Sequence, residues 1–77
     1  MDEFRLSELA PFASCTVVRT EECAARKRLE GLGIVEGARM TRLFSAPCGD
    51  PRAYSVRGAA AAIRNSDAAH VIVRGES

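Results

Sequence analysis

The chain holds no tryptophan, a single tyrosine, a single histidine and a single lysine among 77 residues. With one imidazole, the side chain most often used for acid–base catalysis is almost missing. No G-x-x-x-x-G-K-[ST] phosphate loop occurs, nor G-x-G-x-x-G, H-E-x-x-H or G-x-S-x-G. The usual routes to nucleotide, metalloprotease and serine-hydrolase chemistry are therefore closed, and neither enzyme activity nor a cofactor is expected. No apolar run approaches the roughly 18 residues of a membrane-spanning helix, so direct membrane insertion is not expected. The opening Met1-Asp2-Glu3-Phe4-Arg5 places acids where a signal peptide carries bases, which points to a cytoplasmic protein. A one-sided charge is missing too. Eleven bases against ten acids leave a net charge of +1. Proteins that hold nucleic acid by phosphate neutralisation carry a basic excess, so no nucleic-acid partner is expected.

Cys15, Cys23 and Cys48 form an odd set without a pair at local chelating distance, which suits reduced thiols better than a disulfide framework. With His70 they could complete a Cys₃His metal set only if the fold gathered residues 8, 25 and 22 positions apart. The ordinary reading places Cys15 in a strand, Cys23 in a helix, Cys48 in a turn and His70 at a strand edge. On that reading no bound metal is expected.

What is present suffices for one domain over residues 1–77, because two cores would each bury too little apolar surface. Thirteen of the apolar residues are alanines, so five Leu, six Val, three Ile and three Phe must form most of the core. Phe4-x-Leu6-x-x-Leu9-x-Pro11-Phe12 reads as a short apolar clamp. Cys15 to Thr20 is β-branched and reads as a first strand. A helix is expected from Glu21 to Leu32, with Thr20 as its cap and Glu21 and Glu22 in its first turn. Ala25, Leu29 and Leu32 would form its buried stripe, with Arg26, Lys27 and Glu30 facing away and Glu22 paired to Arg26. Gly31 and Gly33 would end it.

A second strand is expected from Arg39 to Ala46, followed by a turn at Pro47-Cys48-Gly49-Asp50-Pro51, in which Asp50 is expected to hydrogen-bond nearby backbone amides. Tyr54 and Val56 then alternate with polar residues up to Gly58. The run Ala59 to Ala62 fits strand or helix, with alanine's own preference favouring helix. Asn65-Ser66-Asp67 reads as a turn capping a short helical turn, and His70 to Arg74 as the last strand. The fold class expected is mainly β: a small barrel of about five short strands with one α-helix after the first. Strand order stays open.

The middle of the chain resembles the FeoA family, the ferrous iron transport A domain. The resemblance rests on Arg28-Leu29-x-x-Leu32-Gly33-Ile34-x-x-Gly37, then Ala46-Pro47-x-Gly49-Asp50-Pro51, Val56-x-Gly58, Ile63-Arg64, Ala68 and Val71-x-Val73. Leu6-Ser7-Glu8-Leu9 resembles the family's Leu-x-x-Leu opening, and the match runs from about residue 6 to 73. Phe12 stands where the family usually has glycine, Arg42 where a strand is usually apolar, and Ala59 to Ala62 where bulkier residues are usual.

The resemblance implies an SH3-like barrel and an accessory role in bacterial ferrous iron uptake, beside the membrane permease FeoB and through its cytosolic region. It also makes Arg28, Leu32, Gly33, Ile34, Gly37, Pro47, Gly49, Asp50, Pro51 and Gly58 the candidate partner-binding residues. Two other readings stand beside it: a free-standing counterpart of the SH3-like domain of iron-dependent repressors, and a cytosolic metal carrier. Weak self-association stays open. Arg26-Lys27-Arg28 reads as a solvated helix face, and Pro47 to Pro51 as a hairpin turn ahead of a docking loop.

Overall fold

The computed structural model describes residues 2–76; Met1 and Ser77, at the two ends of the expected domain, lie outside the described residues. Six strands form one antiparallel sheet: β1 (Glu3–Arg5), β2 (Ser14–Thr20), β3 (Arg39–Ser45), β4 (Arg52–Val56), β5 (Ala59–Ile63) and β6 (Val71–Gly75). A 3-10 turn, Leu6–Glu8, follows β1, and two short helices, α1 (Arg26–Gly31) and α2 (Asn65–Ala68), lie in the connections after β2 and β5. The sheet order is β1-β6-β2-β3-β4-β5, so the chain's last strand lies between its first two. Alternation along β2 turns Cys15 and Val17 inward, where they meet Met40, Tyr54, Val56, Ile63, Val71 and Val73. Leu6, Leu9, Leu29 and Ile34 close the same core from outside the sheet, and among the described residues no charged side chain is buried.

Two expectations are corrected here, and one left open is decided. Among the described residues there are six strands, because part of the segment expected as an apolar clamp forms β1. It pairs Glu3, Phe4 and Arg5 with Arg74, Val73 and Ile72. Three residues are too few to show alternation.

The helix expected from Glu21 is shorter and starts at Arg26. Thr20 is held in β2 opposite Val71, and the Glu21 amide donates to the His70 carbonyl at 2.7 Å, so neither is free to start a helix. Ala25 stands at the cap position with no side-chain bond. The stripe survives in part: Ala25 and Leu29 are buried, while Leu32 lies past the helix end and is 38% exposed. The Glu22–Arg26 pair forms at 2.6 Å and Arg26 also reaches Glu30 at 3.4 Å.

The alanine run is strand, against the helical preference of its residues. The two-residue turn Arg57-Gly58, with φ of 54° and 79°, sends it back along β4 with Ala59 opposite Val56. Tertiary pairing outweighs propensity there.

The departures at Phe12 and Arg42 have local reasons. Phe12 has φ 64°, the left-handed region that glycine enters at least cost, and its ring is largely exposed. Arg42, opposite Tyr54, donates to the Leu9 carbonyl at 2.8 Å, and Arg52 donates to the Ser7 carbonyl at 2.6 Å. Two arginines thus tie the opening segment across one end of the sheet, their stems covering apolar surface while the guanidiniums satisfy backbone oxygens.

At the other edge, Arg5 donates to Glu21 at 2.8 Å and to the Ala69 carbonyl, and His70 Nδ1 lies 3.6 Å from the same carboxylate. The Arg5 hydrogen bond, ahead of partial burial, which opposes it, holds the Glu21 carboxyl below its ordinary value.

Two predictions follow from these contacts. Phe12→Gly relieves left-handed strain and raises stability by about 0.5–1 kcal/mol, net of the greater freedom of an unfolded glycine. Calorimetric melting should therefore show a rise of a few degrees. A group whose folded pKa is depressed contributes stability above its unfolded value, about 4.3 for glutamate, and loses it as pH falls through the folded value. Melting temperature should accordingly fall on acidification below that value, and Glu21→Gln should lower it at pH 7 and flatten the acid limb. Parallel acid limbs in the two proteins would show that Glu21 contributes nothing.

Candidate partner-binding surface

The residues singled out by the motif fall into two groups. The first surrounds the end of α1. Its last turn delivers Leu29 and Ile34 to the core, both fully buried, and the Ile34 amide donates to the Leu29 carbonyl at 3.1 Å. Gly33, between them, has φ 96°, and a Cβ there would strike the side-chain carbons of Arg57 in the β4–β5 turn. Gly33 is therefore required twice over, by its backbone angle and by the arginine stem lying on it. Gly37 continues the connection, its amide donating to the Val17 carbonyl at 2.8 Å. Gly58 completes the hairpin turn beside Arg57. Leu32 is the one motif residue in this group with an exposed large apolar side chain, and Val35, 44% exposed, lies three positions on.

The second group is the β3–β4 connection. Pro47 and Pro51 are exposed, and the Asp50–Pro51 peptide is cis. The Gly49 amide donates to the Ala46 carbonyl at 2.7 Å, and the Ala46 amide to the Pro51 carbonyl at 3.0 Å. Asp50 does not bond the nearby turn amides expected of it. Its Oδ1 accepts the Asn65 amide at 2.9 Å, at the start of α2, and Asn65 Nδ2 donates back to the Gly49 carbonyl at 3.2 Å. Arg28, from the first group, reaches Asp67 of α2 at 2.7 Å. Both groups thus reach α2, Asp50 and Gly49 at Asn65 and Arg28 at Asp67. Asn65 and Asp67 were not singled out, since only a contact distant in sequence reveals their role.

Among the described residues, no three His, Cys, Asp or Glu side chains lie where they could share a metal ion. Cys15 is buried in β2 and its thiol is pushed up to about 11, by burial first and by the Glu76 carboxylate second. Cys23 packs half-buried against the core, and Cys48 is exposed, donating its S–H to the Asp50 carbonyl at 2.9 Å. His70 lies beside Glu21, 3.6 Å from its carboxylate. The Cys₃His arrangement is thus not assembled. The Arg26-Lys27-Arg28 run is spent on ion pairs to Glu22, Glu30 and Asp67 except for Lys27. A groove beside α1, lined by Val18, Arg19, Thr20, Arg26, Glu30 and Glu36 among others, mixes both signs of charge. No described helix is long and apolar enough to cross a membrane. What the surface offers is contact area. Besides Leu32 and Val35, Phe12 and Phe44 are 74% and 67% exposed at the opposite end of β2 and β3.

A single antiparallel sheet curled over one core, with its last strand inserted between the first two and only short helices in the connections, is an SH3-like domain. The chain belongs to the FeoA family: the FeoA domain model matches residues 4–75. It is similar to the crystal structure of an iron uptake regulatory protein, FeoA, with 34% identity, a TM-score of 0.84, and coverage of 99% of this chain and 100% of that one. It is also similar to Stenotrophomonas maltophilia FeoA complexed with zinc, a prokaryotic SH3-domain protein proposed as a ferrous iron transport activating factor. There identity is 31%, the TM-score 0.81, and coverage 91% of this chain and 88% of that one. T. acidophilum IdeR superposes over 99% of this chain and 35% of its own with a TM-score of 0.83; at 19% identity, that likeness reports the fold alone. No curated protein sequence matches the chain.

The Asp50 contact generates a stability prediction. Asp50→Ala leaves the first amide of α2 without its acceptor and should cost on the order of 1 kcal/mol, about 4–8 °C in melting temperature for a domain of this size. Asp50→Asn keeps an acceptor oxygen and should recover most of that loss. Equal melting of wild type and Asp50→Ala would show the bond to be dispensable.

Proposed function

We propose that the chain is a cytosolic accessory protein of bacterial ferrous iron uptake, which binds the cytosolic region of a FeoB-type permease and thereby regulates or assembles it. The observation that carries this reading is the FeoA match over residues 4–75, nearly the whole chain. The structure is consistent with binding rather than chemistry. Many polar side chains are engaged in holding the fold, and the exposed side chains of Phe12, Leu32, Val35 and Phe44 offer apolar contact area. The motif contributes to such a surface through the exposed side chain of Leu32, next in the chain to the buried Gly33 on which the Arg57 stem rests. Arg28, Gly33, Ile34, Gly37, Gly49, Asp50 and Gly58 act in this reading by shaping that surface and holding α2, while Pro47 and Pro51 bound the neighbouring turn. An area this small fits a transient interface, with affinity set by a few contacts.

Affinity purification of the tagged chain from its native cells should recover the permease. Leu32→Asp should reduce that recovery with little change in melting temperature, because the side chain lies outside the core. Consistent recovery of DNA or a metabolic enzyme without the permease would remove the reading.

A further inference from the structure

The sheet has two edges, and they are treated very differently. β1 is three residues long, and both its charged side chains are engaged, Glu3 with Arg19 at 3.2 Å and Arg5 with Glu21 at 2.8 Å. Short, charged edges of this kind resist further pairing. β5 carries neither proline nor charge over Ala59–Ile63, and only Ile63 turns a large side chain into the core. In the hairpin closed by Arg57-Gly58, Val56 and Ala59 face each other across the turn. The alternation of an antiparallel ladder then directs the N–H and C=O of Ala60 and Ala62 away from β4. Both residues are exposed, and no turn, cap or loop backbone bond reaches either one. Methyl side chains leave that row of donors and acceptors open to a close-approaching backbone.

Charge selects the occupant. The net charge of +1 conceals a segregation: residues 37–64 hold Arg39, Arg42, Arg52, Arg57 and Arg64 against Asp50 alone, which is 5 − 1 = +4, so the remainder carries −3. Arg57 and Arg64 stand exposed at the two ends of β5, and neither has an ion-pair partner among the described residues. A second copy pairing antiparallel about Ala61 would bring Arg57 of each chain beside Arg64 of the other. Like charges so placed oppose that arrangement. An extended segment with acids near both ends meets the same two guanidiniums favourably.

We propose that the outer edge of β5 accepts an extended acidic segment of a partner protein as a seventh strand. Backbone bonds from Ala60 and Ala62 hold it, and Arg57 and Arg64 select acidic residues about five to seven positions apart on the incoming strand. The inference goes beyond the permease reading and does not need the partner to be the permease.

The test is a titration of the isotopically labelled full chain with the synthetic peptide Glu-Thr-Val-Thr-Val-Thr-Glu, followed by NMR. Amide shifts should centre on Ala59–Ile63, and exchange of the Ala60 and Ala62 amides should slow several-fold. The peptide Lys-Thr-Val-Thr-Val-Thr-Lys should bind at least tenfold more weakly, and salt should weaken the acidic peptide's binding. Ala60→Pro removes an outward donor and no bond to β4, so it should weaken binding at least tenfold at an unchanged melting temperature. Should that variant fold poorly, the double variant Arg57→Glu/Arg64→Glu should give the same loss for the acidic peptide and reverse the preference between the two. Undisturbed β5 amides at millimolar peptide, or equal binding of both peptides, would overturn the proposal. Concentration-dependent β5 shifts without peptide would overturn it as well, in favour of a second copy. Recovery of the permease by Ala60→Pro as by wild type, beside a positive peptide result, would place the permease elsewhere on the domain and leave the edge assignment standing.

Discussion

A four-residue helix cannot hold itself in water, since one turn fixes several backbone angles for a single hydrogen bond. The stability of α2 must therefore come from groups outside it. Asp50 accepts its first amide, Asn65 answers to the Gly49 carbonyl, and Arg28 reaches Asp67 from α1. Much hangs on this clasp. α2 buries Ala68 and delivers the chain to β6, the strand that lies between β1 and β2 and closes the sheet's order. Residues far apart in sequence, in the β3–β4 turn and at the end of α1, thus share one structural duty.

Strands with clear alternation, such as β2 and β4, were legible in the sequence, as were the turns marked by proline and glycine. β1 was not, because three residues carry no period. The start of α1 was misplaced because Thr20, Glu21 and Glu22 form a good local helix signal. β6, some fifty residues later, claims the first two for the sheet. The Ala59 run read ambiguously for the same reason, its strand state being imposed by β4. At the candidate surface, the residue types were legible and their partners were not. Asp50 was expected to bond within its own turn and instead bonds a helix fifteen residues on. Gly33 read only as a helix stop, while the arginine stem resting on it is visible only in three dimensions.

Arginine has two employments in this domain. On the outer faces it joins ordinary ion pairs, which in solvent contribute little to stability. At the end of the sheet, Arg42 and Arg52 instead bond the carbonyls of Leu9 and Ser7 while flanking the buried Tyr54. Each guanidinium thereby gives a backbone carbonyl of the opening segment a charged donor.

The interior position of Cys15 has a practical chemical consequence. A thiol raised to about 11 and sealed under the sheet offers almost no thiolate to an oxidant or an alkylating reagent at neutral pH. Toward such reagents the native protein behaves as a two-thiol molecule, and Cys48 is the exposed one. Covalent dimers arising during aerobic storage would accordingly be joined through the Pro47–Pro51 turn. Appearance of a third reactive thiol would report that the core itself had opened.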